Sequence, residues 1–421
     1  MLQSNYLKNT QFIFIISKLL TSPLGVMYAL MSFIICKHFN ATPLQVTLLV
    51  SSKPIVALIS FYGFLFIKNK PHRLKPLIIA LTILSVLPCF LFPFATNSWF
   101  CIFAFALFMM SARATIPPWS EIFKLNIQAD ERGKVFSKGS TVNYLSDIAV
   151  PLLIAPILDY HPSSWMWIFF ALAFIHLSQV FFLLKLKVNL ENYCSTTNEI
   201  KEESFSFQSV LIGPWRNSWN LMKQRSDFRN YQIVFLLGGS GLILAQPVLP
   251  IYFEQVLQLS YTQLAFAVSL CKGVGFALTS PIWARGFNHI SINRFNFYVT
   301  VFAGVFALIF VIMNQQVAWV YLAYLIYGVM QAGSELSWNL AGPRFSQKED
   351  STLFTSVNIA MVGLRGCIAP FFGELLFLSS HFTIVFLCSA SFCLTGACYS
   401  LWLDFRSEKR DSASLREASA E

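Results

Sequence analysis

Long apolar stretches alternate with short polar ones along almost the whole chain. A helix needs about 20 mostly apolar residues to cross a bilayer, and windows of that length recur from end to end. No water-soluble fold could bury so many of them, so we expect lipid to be the solvent. The twelve membrane-spanning helices that the pattern predicts are Phe12 to Cys36, Leu44 to Ile67, Pro76 to Ala95, Trp99 to Pro118, Ser137 to Leu158, Trp165 to Leu184, Tyr231 to Phe253, Thr262 to Ala284, Phe295 to Met313, Ala318 to Trp338, Thr352 to Phe377 and Phe382 to Leu403.

Two longer polar segments divide this pattern. The predicted organisation is a six-helix bundle at residues 1–186, a linker at 187–228, a second six-helix bundle at 229–404 and a tail at 405–421. In the linker, Trp215 and Trp219 indicate an amphipathic helix at the membrane surface. We expect the charged tail to be disordered.

Charge is scarce but unevenly placed. Only 12% of the residues are charged, yet the net charge is +10. Nearly every Lys and Arg outside the predicted spans falls in loops on one side of the membrane, and Lys37 is the exception. The positive-inside rule then puts both termini and the linker in the cytoplasm. With compact loops, the expected location is a bacterial inner membrane.

The sequence carries no pattern typical of an enzyme. The nine cysteines lie mostly inside apolar runs, where Cys acts as a small hydrophobe, and no pair has the Cys-x-x-Cys spacing. A Walker-type phosphate loop and paired histidines within a span are also missing from the sequence. We therefore expect no catalysis, cofactor, metal site or nucleic-acid partner, and a monomer in the lipid bilayer.

A weak internal repeat relates the two predicted bundles at an offset of about 218 residues. It places Lys53 and Lys272 at mid-span in the second helix of each half. It also aligns Ala155-Pro156 with Ala369-Pro370. Parallel six-helix repeats are a transporter architecture.

Two loop motifs carry a family resemblance. Pro117-Pro118-Trp119-Ser120-Glu121 is followed by Asp130-Glu131-Arg132-Gly133-Lys134, and an earlier loop keeps Gly63, Lys68 and Arg73 while Ile67 and Lys70 replace an acid and a glycine. These segments resemble the major facilitator superfamily. The resemblance implies an all-α membrane protein with twelve transmembrane helices in two pseudo-symmetric bundles. It also implies alternating access, with helices one, four, seven and ten lining a central cavity and three, six, nine and twelve facing lipid.

Ionisable residues inside a membrane are costly and are functional candidates by default. Those within the predicted spans are Lys18, Lys53, Arg113, Asp147, Lys272, Glu335, Arg365 and Glu374, besides His176. The candidate substrate-binding residues are Lys53, Arg113, Asp147, Lys272, Glu335 and Arg365. Their four cations suit an anionic solute, a carboxylate or phosphate compound. Ion pairs between helices, such as Asp147 with Arg365, are an equally good interpretation.

Spacing adds detail to these candidates. Ser140, Asn143 and Asp147 lie one turn apart and form a polar stripe, and Asn358 and Arg365 share a face two turns apart. Burial could raise the pKa of the Asp147 or Glu335 carboxyl enough for proton coupling. We interpret His176 as a packed, hydrogen-bonded core residue.

Charged loops on the cytoplasmic side predict a gate. Its candidate residues are Lys68, Arg73, Glu131, Arg132, Arg285 and Arg294. Pro23 with Gly25, and Gly238 to Gly241 with Pro247, indicate helix bends or close packing of helices one and seven. The function that these patterns favour is secondary active transport of a small solute. Export of hydrophobic drug-like compounds, or a sensor that keeps the fold without transporting, are the alternatives.

Overall fold

The computed structural model describes residues 2–63, 71–189, 207–314, 316–346 and 351–418. Within these ranges the chain is helical and contains no strand. The helices are α1 (Leu2–Ala29), α2 (Met31–Phe39), α3 (Pro43–Gly63), α4 (Leu74–Val86), α5 (Ser98–Ala114), α6 (Ile116–Asn126), α7 (Ala129–Tyr160), α8 (Ser164–Leu183), α9 (Phe207–Gln224), α10 (Ser226–Ala245), α11 (Val248–Gln255), α12 (Tyr261–Ala265), α13 (Lys272–His289), α14 (Ile292–Ile312), α15 (Val317–Ser346), α16 (Ser351–Ser379) and α17 (Phe382–Ala418). Short 3-10 helices lie at Pro71–Arg73 and Leu87–Phe94, and a π-helical turn at Phe266–Cys271.

Eleven stretches of the described residues are long and apolar enough to cross a membrane. Each corresponds to one of the predicted spans, and the predicted span Leu44 to Ile67, of which α3 covers the part up to Gly63, is not among them. The chain is therefore an integral, multi-pass membrane protein made of helices. This agrees with a bilayer as solvent, because a helix satisfies its backbone hydrogen bonds internally.

Prolines divide several of the predicted spans. Pro88 cannot donate the hydrogen bond of a regular turn, and the span predicted from Pro76 changes there from α4 to a 3-10 helix. Pro117 and Pro118 stand in the first turn of α6, where a missing N–H costs little. Pro247 separates α10 from α11, so the predicted interruption occurs at that residue.

The glycines of the seventh predicted helix serve close packing. Gly241 lies about one turn before the end of α10, which runs without a break from Ser226 to Ala245. A Cβ atom at this position would overlap the Cys393 sulfur and the Ser389 carbonyl of α17. Ser389 also donates a hydrogen bond from its hydroxyl to the Gly241 carbonyl at 2.7 Å. Close approach of the two backbones thus requires glycine here.

The helices form two compact units. The first comprises Met1–Phe205 with Ser260–Ala265, and the second comprises Ser206–Leu259 with Phe266–Glu421. Aromatic rings fill both interiors: Tyr28 stacks on Phe108 in the first unit, and Phe228 packs edge-on against Phe354 in the second.

Both the linker and the tail contain helix. A helix is present around Trp215 and Trp219, as predicted, and both rings are exposed on α9. The tail prediction is wrong, because α17 continues to Ala418. Asp404 and Glu408 lie one turn apart on α17 and both pair with the Arg294 guanidinium, which favours helix beyond the apolar segment.

Candidate functional site

A cavity of about 60 Å³ lies inside the second unit, between α10, α14, α15 and α16. Its wall is mostly apolar, and its polar lining residues include Asn296, Ser334, Ser337 and Arg365. Arg365 is therefore the predicted binding residue that the structure places in this cavity.

The Arg365 guanidinium is held on one side only. Its Nη1 donates to the Phe235 carbonyl oxygen at 2.6 Å, and its Cζ lies 4.3 Å from the centre of the Phe235 ring. Its Nε is buried without a hydrogen-bond partner. Among the described residues, no carboxylate forms an ion pair with this cation.

Gly239 makes room for this side chain. A Cβ atom at position 239 would overlap the Arg365 guanidinium. Gly239 lies on α10, one turn along the helix from the Phe235 carbonyl that accepts the Arg365 hydrogen bond. The backbone of α10 thus provides both the space and the acceptor for the cation.

A second donor faces the same cavity. Ser337 donates from its hydroxyl to the Asn296 Oδ1 at 2.7 Å, and the Tyr231 hydroxyl lies 3.2 Å from the Ser337 Oγ. The Ser337 hydrogen bond engages only the Oδ1 of the Asn296 amide. The Nδ2 of the same amide is buried and has no hydrogen-bond partner. Two unpartnered N–H donors, from Arg365 and Asn296, therefore line one small cavity.

The predicted polar face of the eleventh span is confirmed by its contacts. Asn358 and Arg365 both contact α10, the first through the Gln232 amide and the second through the Phe235 carbonyl. The two residues therefore share one face of α16, as their spacing predicts.

The other predicted residues of this unit stand in different surroundings. Glu335 is partly buried on α15 and accepts a hydrogen bond from the Gln331 amide at 3.4 Å, while Ser334 beside it lines the cavity. Lys272 begins α13 directly after the π-helical turn and is partly exposed. Such turns are frequent at functional sites.

In the first unit the structure places the predicted residues on three helices. Lys53 is exposed on α3, and Arg113 is partly buried near the end of α5. Asp147 is exposed on α7 and accepts a hydrogen bond from the Asn143 amide at 3.0 Å. Asn143 in turn accepts one from the Ser22 hydroxyl at 3.0 Å, so the predicted polar stripe continues onto α1.

Two predicted gate arginines have defined partners. Arg132 donates from Nε to the Ile127 carbonyl at 2.9 Å and from Nη2 to the Lys124 carbonyl at 3.1 Å, at the end of α6. Arg294 contacts Asp404 and Glu408, both at 2.8 Å.

The remaining gate candidates are less constrained. Arg73 and Arg285 are exposed, and Glu131 is partly exposed. Lys68 lies outside the described residues.

The first unit also holds a cavity that the sequence did not predict. It measures about 100 Å³ and is lined by α1, α4, α5, α7 and α8 and by the start of α6. Lys18, Asn143, His176 and Gln179 are among its polar lining residues. Lys18 was visible as an ionisable residue within an apolar run, and that signal alone could have added it to the candidates.

Comparison with known proteins gives one family. Residues 12–357 match the model of the Major Facilitator Superfamily. No curated protein sequence matches this chain significantly.

Solved structures with a similar fold include a nucleoside transporter, NupG, at 14% identity and a TM-score of 0.67, covering 93% of this chain and 98% of that one. A POT family transporter in complex with 5-aminolevulinic acid is 13% identical, with a TM-score of 0.71 and coverage of 95% and 96%. A peptide transporter POT in complex with sulfate is 13% identical, with a TM-score of 0.69 and coverage of 95% and 94%. At such low identity the likeness concerns the fold.

Proposed function

Because this chain belongs to the major facilitator superfamily, we propose that it is a secondary active transporter of a small anionic solute that works by alternating access. The observation that carries the proposal is the pair of unpartnered donors, the Arg365 Nε and the Asn296 Nδ2, in one cavity of the second unit. A buried donor left without an acceptor costs about 1–3 kcal/mol, and more when it is charged. A solute that supplies acceptor oxygens would recover that free energy.

The charge of Arg365 favours an anion over a neutral solute. A guanidinium is always protonated and presents its donors in a planar fork that matches carboxylate and phosphate geometry. Here one nitrogen of the fork is engaged with the Phe235 carbonyl, whereas Nε is available to a ligand. A carboxylate bridging the Arg365 Nε and the Asn296 Nδ2 would satisfy both.

The solved structures of similar fold are consistent with this class of solute. They include a transporter in complex with 5-aminolevulinic acid, which carries a carboxylate, and one in complex with sulfate. The nucleoside transporter shows that the same fold also serves a different class of cargo. These neighbours therefore support small-molecule transport, and Arg365 supports the choice of an anion.

The other candidate residues complete the proposal. Lys53, Lys272 and Arg113 add positive field along the path of the solute. Asp147 or Glu335 would take up the proton if transport is coupled to one. The charged residues Arg73, Glu131, Arg132, Arg285 and Arg294, with Lys68, would bias the cytoplasmic gate. Both termini would lie in the cytoplasm, and the protein would act as a monomer in a bacterial inner membrane.

Uptake of labelled carboxylates and phosphate compounds into proteoliposomes tests the proposal, with and without a proton gradient. Replacing Arg365 by Met removes the charge and the donor, and we expect solute affinity to fall about 10- to 100-fold, equivalent to about 1.4–3 kcal/mol. The control variant Arg229→Met removes an exposed cation of the same unit and should transport normally.

The conservative variant separates charge from geometry. Arg365→Lys keeps the cation but loses the planar fork, so an intermediate affinity is expected. Uptake that is equal in wild type and Arg365→Met would end the anion hypothesis. Binding of a solute without any uptake would favour a sensor with this fold.

A further inference from the structure

The cavity of the first unit lies inside one bundle of helices. Residues of α4 and α8, which belong to the third and sixth predicted spans, contribute Ser85 and His176 to its wall. The family resemblance lines the solute path with helices one, four, seven and ten and expects helices three and six to face lipid. The first and fourth spans, as α1 and α5, also contribute to this cavity. The solute path does not explain why the third and sixth spans add polar residues to its wall.

Three polar atoms in this wall lack a partner. The Ser17 Oγ, the Ser111 Oγ and the His176 Nδ1 are buried without a hydrogen bond, and their residues are 7%, 1% and 4% exposed. The other ring nitrogen of His176 is engaged with the Ser85 hydroxyl at 3.1 Å. Each unpartnered buried group costs about 1–3 kcal/mol, so three of them around one cavity favour the binding of a polar ligand.

The same cavity contains a cation. Lys18 is partly buried on α1, and its Nζ lies 5.4 Å from the centre of the Phe14 ring. The structure gives this ammonium no ion pair within its described part, and the cavity wall includes no Asp or Glu. An ammonium withdrawn from water without a counter-ion is costly, and a bound anion would offset that cost.

Size limits the ligand. A water needs about 10–15 Å³ of such space, so a cavity of about 100 Å³ holds several water-sized positions. That volume suits a halide or a small carboxylate, and one positive charge calls for one negative charge.

We propose that the cavity of the first unit binds a small monovalent anion, with Lys18 as its counter-ion and the Ser17 and Ser111 hydroxyls as its hydrogen-bond donors. The site is separate from the Arg365 cavity and does not depend on the proposed transport. Its ligand is either a free inorganic anion or the carboxylate of an organic solute.

The wall contains its own reporter. Trp119 lines the cavity and packs edge-on against Phe14 at 5.2 Å between ring centres, beside the ring that Lys18 approaches. Iodide quenches indole fluorescence on contact, so an iodide bound near Lys18 would quench Trp119 in a saturable way. Collisional quenching of the other tryptophans would rise linearly instead.

The experiment is an iodide titration of the full chain in lipid nanodiscs, with gluconate keeping the ionic strength constant. We expect a saturable component in wild type that disappears in Trp119→Phe and is at least about tenfold weaker in Lys18→Met. It should persist in Lys8→Met, which removes an exposed cation of the same helix, and in Arg365→Met. Persistence in Arg365→Met separates this site from the proposed transport site.

Competition identifies the source of the anion. Displacement of iodide by both chloride and acetate points to a free monovalent anion, and displacement by acetate alone points to a carboxylate of an organic solute. Strictly linear quenching in wild type, a saturable component unchanged in Lys18→Met, or one that survives Trp119→Phe would each overturn the proposal. Should Lys18→Met fail to fold, Ser111→Ala serves instead, with an expected loss of affinity of about threefold to tenfold.

Discussion

The two cavities hold their cations differently. In the first unit the Lys18 ammonium lies over the Phe14 ring, in a cavity whose wall holds hydroxyl and imidazole atoms without partners. In the second unit the Arg365 guanidinium is fixed by the Phe235 carbonyl and lies over the Phe235 ring. Lysine carries a compact charge on a flexible stem, whereas arginine presents a rigid planar fork. The first cavity thus suits any small anion, and the second suits an anion of defined geometry.

The polar groups around each cation reinforce this contrast. In the second unit a chain of hydrogen bonds from Tyr231 through Ser337 fixes the Oδ1 of Asn296, a lining residue of the cavity. In the first unit the Ser17 and Ser111 hydroxyls can rotate, because nothing in the described structure engages them. A preorganised site gains selectivity because less ordering is lost on binding. We therefore expect ligand binding in the second cavity to be more sensitive than binding in the first to small changes in the shape of the cavity wall.

The largest effect is expected at Gly239. The variant Gly239→Ala places a Cβ atom where the Arg365 guanidinium lies, so the side chain must move away from the Phe235 carbonyl. Overpacking of this kind costs about 1–3 kcal/mol in stability. The displaced cation should also weaken solute binding about as much as its removal in Arg365→Met, about 10- to 100-fold. The unfolding temperature and equilibrium binding of the solute measure both effects.

The chain offers a matched control. Gly213 lies in α9 with open space around the position of its Cβ atom, and the change to Ala should leave binding unchanged. A slight gain in stability is expected there, because Ala is the better helix former. If Gly239→Ala binds solute as wild type does, solute binding does not depend on the position of Arg365 against the Phe235 carbonyl.

Hydropathy predicted the helices but not these cavities. Apolar windows locate spans because a bilayer leaves the backbone few alternatives, and this held even where Pro88 turned part of a span into a 3-10 helix. The Asn358 and Arg365 face followed from helical spacing. The Lys18 cavity did not, because it depends on how α1, α4 and α8 are rotated toward one another, and a single sequence does not encode that rotation in a readable pattern. The interpretation of His176 as a buried, hydrogen-bonded residue is confirmed, and the structure also places it in the wall of this cavity.

A smaller effect is expected at Ser85 in the first unit. The variant Ser85→Ala removes the one hydrogen-bond partner that the described residues give to the buried His176 ring, leaving both of its nitrogens unsatisfied. We expect a loss of about 1–3 kcal/mol in the free energy of unfolding. A saturating anion should reduce that loss, because the ring can turn toward a ligand in the adjacent cavity.

Ser178→Ala is the control for this variant. Its hydroxyl donates to the Ile175 carbonyl of its own helix at 2.6 Å, so the change should alter stability little. Equal stability of Ser85→Ala and wild type, with and without anion, would contradict a strained polar wall in this cavity.

The smallest effect is expected at Arg132, where the comparison extends to the ends of the helices. Arg132 in the first unit donates to two backbone carbonyls, those of Ile127 and Lys124, whereas Arg294 in the second unit pairs with two carboxylates. The Arg132 hydrogen bonds fix the connection between α6 and α7 without contacting either cavity. Removing them should cost about 0.5–1.5 kcal/mol of local order, which biases a gate without altering a binding site. We therefore expect Arg132→Ala to slow solute uptake a few-fold, about the factor that this free energy gives, and to leave equilibrium affinity near that of wild type.

Lys134→Ala removes an exposed cation from the same helix and should leave both quantities unchanged. Uptake rate and affinity that fall together in Arg132→Ala would show that the residue supports the binding site, and unchanged uptake would remove it from the gate.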